Sequence, residues 1–182
     1  MAQAYSESYE YVVDKKVEGS FLLRRILMIA LYAVYVLAFF IVGVITRLGV
    51  PMLALIPITL WILIWLTWPY CRIEYEYSLF DGNLTFSTVY GGRKRREQFS
   101  IRISSAERIA PIGEKCDSFV VDFEPTRVYN GLSSDKDAKD AYFLLFEDED
   151  GERCVFYFEA TARMLRILKY YNAGTVVTDV SV

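Results

Sequence analysis

The sequence predicts a membrane-spanning α-helical hairpin followed by a small, mainly-β domain that ends in an amphipathic helix. Three observations predict it. Residues 26–70 are almost wholly apolar and are interrupted once, by Thr46-Arg47-Leu48-Gly49. From Arg72 the pattern changes to alternation of apolar and polar residues, punctuated by Asp-Gly and Gly-Gly pairs. Near the C-terminus the alternation gives way to a helical stripe. Apolar residues make up 54% of the 182, and the excess over a soluble composition sits in the hairpin. The division that follows is a polar N-terminal segment 1–20, a hairpin 21–70, a β domain 71–174 with its helix at 161–173, and a tail 175–182.

The two spans, placed at about 26–46 and 50–69, are each long enough to cross a hydrocarbon core, which takes roughly 20 residues of helix. The apolar core of the first is too long for a cleaved signal peptide, and no small-residue cleavage site follows it. Lys15, Lys16, Arg24 and Arg25 precede the first span, Arg72 and the run Arg93-Lys94-Arg95-Arg96 follow the second, and the turn holds only Arg47. Basic residues collect on the cytoplasmic side, so both termini are expected there. Pro51 falls in the first turn of the second helix, where a missing N–H costs little. Pro57 is interior and is expected to kink that helix, unless the segment is re-entrant. Trp65, Trp68 and Tyr70 read as interface anchors at the headgroup level, and Trp61 as packing on the first helix or on lipid.

In the β domain Ile73, Tyr75, Tyr77 and Leu79 share one face of a strand, opposite Glu74, Glu76 and Ser78. Asp81-Gly82 turns it into a second strand through Leu84 and Phe86, a strong hairpin signal. Gly91-Gly92 marks the next turn, before a strand with Phe99, Ile101 and Ile103. A short run 107–112 follows. Further strands are expected at Ser118–Glu124, Tyr142–Phe146 and Arg153–Glu159, about seven antiparallel strands in all. Tyr142–Phe146 is apolar on both faces, which places it centrally. Pro125–Asp140 reads as a long polar loop, the one place for disorder or a functional insertion. Thr161 caps the last helix, whose stripe is Met164, Leu165, Leu168 and Tyr171, with Gly174 as its stop.

The residue inventory excludes several chemistries. Histidine is absent, which removes the commonest general base and metal ligand. Cys71, Cys116 and Cys154 are odd in number and widely spaced, so neither a disulfide framework nor a zinc site is expected. The acidic run 147–152 has its glycine directly after Asp150, unlike a calcium loop, and reads as a solvated turn. Asp122 and Glu124 face outward, where neither is desolvated enough for general-acid work. Ser104-Ser105 has no histidine to activate it, and Gly91-Gly92 lacks the pattern of a phosphate loop. The net charge of −3 disfavours a nucleic-acid partner. No catalytic, cofactor or metal residues are assigned, and no enzymatic activity is expected. Arg93, Lys94, Arg95 and Arg96 are the most specific local feature. They read either as a contact for anionic lipid or a partner, or as a solvated turn that protects a strand edge and sets topology.

Antiparallel strands followed by one amphipathic helix, with Asp81-Gly82 ahead of Leu84 and basic residues ahead of Phe99–Ile103, resemble the pleckstrin-homology-like (PH-like) fold. With the hairpin in front, the chain is similar to bacterial two-span membrane proteins that carry a PH-like cytoplasmic domain. The resemblance implies a partly open barrel plugged by the C-terminal helix, and a multi-pass protein of the cell's inner membrane. Lipid-binding members of the fold hold phosphoinositides with basic residues around the first hairpin, where this sequence has Asp81 and Asn83. The expected role is a protein-interaction or assembly module held at the lipid bilayer, whose partner is another membrane protein, a second copy of the chain (self-association through a strand edge or helix) or a peptide. The alternatives are anionic-lipid binding through 93–96 and an accessory subunit of a membrane complex.

Overall fold

The computed structural model describes residues 8–113, 116–134 and 138–177. Two compact units emerge: one comprises Lys16–Ile73 and Tyr90–Lys94, and the other Met1–Lys15, Glu74–Val89 and Arg95–Val182.

The first unit is a pair of helices, α1 (Gly19–Ile45) and α2 (Gly49–Thr67), continued by a 3-10 turn over Trp68–Cys71. Both are long and apolar enough to cross a membrane, with mean hydropathies of 2.7 and 2.2. Almost none of their length is buried, only 6% and 0% of the most apolar stretches. A core helix of a soluble protein would be covered, and an exposed apolar surface of this extent marks a lipid or partner contact. Arg47 takes a left-handed φ of 57° in the turn. Gly43 lets the helices close there, since a Cβ on it would stand 3.1 Å from that of Met52. At the other end the Tyr32 hydroxyl meets that of Thr67 at 2.5 Å, and Arg25 Nε donates to the Cys71 carbonyl at 2.8 Å. α2 runs on through Pro57.

The second unit holds two four-stranded sheets. The first has the order β1-β2-β3-β4, with β1 Tyr9–Asp14, β2 Ile73–Phe80, β3 Asn83–Tyr90 and β4 Lys94–Arg102. The second has the order β5-β7-β8-β6, with β5 Arg108–Pro111, β6 Arg127–Asn130, β7 Ala141–Glu147 and β8 Arg153–Glu159. α4 (Ala162–Tyr171) follows, capped by the Thr161 hydroxyl, which accepts from the Met164 N–H at 3.2 Å. Met164 and Leu168 are fully buried, as the stripe requires. The sheets meet over an aromatic core: Tyr77 stacks on Phe86, which lies 4.6 Å from Phe156, and Phe156 stacks on Phe158 at 5.2 Å. The barrel is not closed, because the two sheets share no ladder.

Three elements differ from the sequence expectation. The polar N-terminal segment contributes β1, which pairs antiparallel with β2 from Tyr9↔Leu79 to Asp14↔Glu74. In sequence the helical hairpin therefore falls between two strands that pair with each other. The Asp81-Gly82 turn becomes the domain's second connection, not its first. The segment expected as a strand at Ser118–Glu124 is a helix, α3 (Asp117–Phe123). Its apolar contacts are Phe119, Val120 and Phe123, at helical spacing, against Ala110, Phe143, Leu145 and Val155, while Val121 is 72% exposed. Covering the outer face of the second sheet outweighs the β-propensity of Phe and Val here. The loop 125–140 contains β6, which runs parallel to β8 from Arg127↔Cys154 to Asn130↔Tyr157. Residues 135–137 of that loop, Tyr5, and 178–182 of the tail lie outside the described residues, whereas Val176 of the tail bridges to Ile109. The interior place of β7 agrees with the sequence, since its outer face is the one α3 covers.

Tyr77 is fully buried and its hydroxyl donates to the Gly131 carbonyl. Burial pushes its pKa well above the ordinary 10.0, and burial likewise raises those of Tyr157 and Cys154. The native state thus keeps protons that the unfolded chain has lost, so the contribution of these groups to stability is constant up to the unfolded values near 9 to 10 and falls as pH rises past them. Thermal unfolding followed by near-ultraviolet circular dichroism should show a midpoint that drops steeply above about pH 10. Tyr77→Phe should flatten that drop and cost about 1–2 kcal/mol at neutral pH, because the Gly131 carbonyl loses its donor.

Candidate functional site

Two concavities stand out, each built within one unit. The first lies at the C-terminal end of α2. Residues Trp61, Trp65 and Trp68 recur on one helical face, and with Pro69, Arg72, Gly91 and Arg93 they line a pocket of ≈ 290 Å³. The Gly91–Arg93 turn is held there by its backbone. Gly91 donates to the Arg72 carbonyl at 2.7 Å, and a Cβ on Gly91 would meet Pro69 at 2.7 Å. Its φ of 58° also belongs to the left-handed region, so two constraints select glycine. The turn sets the Arg93 guanidinium 5.2 Å from the Trp65 ring, within cation–π range.

The predicted basic cluster is divided by its strand. Arg93 joins Trp65 and Trp68, whereas Arg95 pairs with Glu76 at 2.8 Å on the sheet, and Lys94 and Arg96 are exposed on β4. Of the expected anchors, Trp65 and Trp68 line the pocket together with Trp61, while Tyr70 packs 5.9 Å from Tyr90.

The second concavity is the open seam of the barrel. β4 is an edge strand of the first sheet and β6 an edge strand of the second. Between them opens a cleft of ≈ 750 Å³ with Phe99, Tyr129 and Phe146 in its floor. Phe99 lies 4.9 Å from both of the other rings. The turn between β7 and β8 forms one wall, organised around Asp148. That carboxylate accepts from the N–H groups of Asp150 and Glu152 at 3.0 and 2.9 Å, and Arg127 bridges it (2.9 Å) to Glu152 (2.6 Å). Hydrogen bonding to Tyr129, then the Glu152 carboxylate, raises the pKa of Arg127 further. The run that invited a calcium reading is thus a salt-bridged hairpin turn. Among the described residues no three His, Cys, Asp or Glu side chains are grouped to hold a metal ion.

The cleft is not legible in the sequence, because β6 lies within a polar loop. The signal for β1 was present: Tyr9, Tyr11 and Val13 alternate with Glu10, Val12 and Asp14. No short-range rule would have revealed the parallel pairing of β6.

Two sheets, a C-terminal capping helix and a pair of apolar helices define a PH-like domain that carries its own candidate membrane hairpin. The chain belongs to the family described as Bacterial PH-like domain (DUF6106), which it matches over residues 6–178. That span takes in β1 and both apolar helices, so hairpin and sheets form one family unit. No curated protein and no solved structure matches the chain.

All three tryptophans of the protein line the α2 pocket, so intrinsic fluorescence reports on it alone. Gly91→Ala should shift the emission maximum and lower thermal stability by at least about 2 kcal/mol, from left-handed strain plus displacement of Pro69. An unchanged spectrum and midpoint would contradict the packing of that turn.

Proposed function

We propose that this chain is a non-enzymatic integral membrane protein that presents its PH-like domain in the cytoplasm as a protein-interaction or assembly module. The hairpin crosses the inner membrane twice, with both termini on the cytoplasmic side. One observation carries the reading: β1 and β2 are hydrogen-bonded neighbours, although both apolar helices lie between them in sequence. Segments that pair must share one side of a bilayer, which fits two crossings and the distribution of basic residues. The domain is also well packed around its aromatic core and has an open cleft at its seam.

Topology is tested with an epitope tag at either end. Each should be protected in intact cells and accessible after permeabilisation, and the chain should resist extraction by alkali. A tag reachable from outside overturns the placement. For the module, chemical crosslinking in native membranes should recover the chain joined to another protein, and recovery of monomer alone opposes it.

A second reading, binding of anionic lipid headgroups, is favoured by the stacking of Arg93 on Trp65 in a pocket that also holds Arg72. A cation near the membrane surface contributes about 1 kcal/mol, so Arg93→Gln should weaken phosphatidylglycerol binding roughly fivefold. Quenching of tryptophan emission by brominated phosphatidylglycerol in nanodiscs measures this, and equal quenching in variant and parent removes the idea.

A further inference from the structure

We propose that the seam cleft beside β4 is a docking groove for an extended, basic peptide segment of a partner protein, which adds to β4 as a further strand. This rests on the interaction-module reading and assigns it a site and a ligand chemistry.

The backbone supplies the first argument. Among the described residues β4 pairs with β3 alone and β6 with β8 alone, so two strand edges border the same cleft without pairing to each other. An exposed edge is a template for another strand, and proteins protect such edges with charge. Here the protection is uneven: Lys94, Arg95 and Arg96 guard the first half of β4, while Phe99, Ser100 and Ile101 carry no charge. These uncharged residues line the cleft, flanked there by Glu97 and Arg102. Among the described residues, the only backbone partners of Gln98–Ile101 lie within the sheet.

Side chains supply the second. In an added strand alternate residues point to opposite faces. One set meets the floor, where Phe99 and Tyr129 are half-buried rings in contact with each other. The other meets the rim, which holds Glu97, Glu147, Asp148, Glu149 and Asp150 against Arg102 and Arg127. Arg127 is already bound to Asp148 and Glu152, so the field left over is negative. An anionic headgroup is repelled by it, and a segment bearing Lys or Arg is attracted. The chain's own ends do not qualify, because neither 1–7 nor 178–182 contains a basic residue. The basic run 93–96 is likewise committed to its own hairpin. The volume of ≈ 750 Å³ falls within the range of about 300–1,000 Å³ that ligand pockets occupy.

The test uses the full chain in nanodiscs of neutral phosphatidylcholine and a fluorescent eight-residue peptide of alternating Lys and Val. Saturable binding is expected by anisotropy, with none for the alternating Glu and Val peptide. Glu149→Lys with Asp150→Lys, both on an exposed turn, should weaken it roughly tenfold while the thermal midpoint stays unchanged. N-methylation of every second residue, in at least one of the two frames, should abolish it, because strand addition needs the backbone donors. Amide exchange should slow at residues 98–102. Absence of saturable binding overturns the proposal, and so does equal binding of both N-methylated peptides or of the charge-reversed variant. Recovery of a crosslinked partner at the parental level from E149K/D150K membranes, with no peptide bound, removes the groove and leaves the module reading intact. Charge-dependent peptide binding by a chain that yields no crosslinked partner does the reverse.

Discussion

The constraint on which the architecture depends is the ladder between Tyr9–Asp14 and Glu74–Leu79. It joins residues separated by two apolar helices, and closing a flexible loop of roughly sixty residues would cost several kcal/mol of chain entropy. The hairpin lowers that cost by structure. The helices close on each other at the turn through Gly43, and the ends that lead to the strands are held by the Tyr32–Thr67 hydroxyl pair and by Arg25 on the Cys71 carbonyl. Only Lys15–Glu18 on one side and Arg72 on the other then separate regular structure from the sheet.

The aromatic core does the corresponding work between the sheets. Tyr77 is its polar exception, buried among Phe86, Phe156 and Phe158 and satisfied by the Gly131 carbonyl. Gly131 has no side chain to spare at that point, since a Cβ would stand 3.0 Å from both Tyr77 and Phe156. On the opposite side of the second sheet α3 covers Phe143, Leu145 and Val155, so that sheet is buried on both faces there.

Much of this was legible in the sequence, and the parts that were not share a cause. Continuous apolar runs, Asp-Gly turns and the Thr161 cap are local signals, and the hairpin, β2–β3, β7–β8 and α4 follow from them. β1 alternates cleanly, yet its partner lies beyond two helices, so no neighbouring strand drew attention to it. In α3 the sequence DSFVVDF satisfies either period over seven residues, and only the apolar face it covers decides between them. Arg93–Arg96 read as one cluster because they are consecutive. In the structure Arg93 caps a tryptophan pocket while Arg95 belongs to the sheet. The cleft itself belongs to β4, β6 and the β7–β8 turn jointly, and no single stretch announces it.

The place of the hairpin between β1 and β2 in sequence also bears on how the protein can be divided. The end of the second apolar helix is the natural place to cut if the aim is a water-soluble piece. A fragment beginning at Arg72, however, discards Tyr9–Asp14 and strips β2 of its outer neighbour. The bared flank, with Tyr75, Tyr77 and Leu79 behind it, invites pairing between fragments, so self-association of such a piece would reflect the cut and not the parent molecule. A faithful soluble version keeps the first strand and replaces the two helices with a short turn.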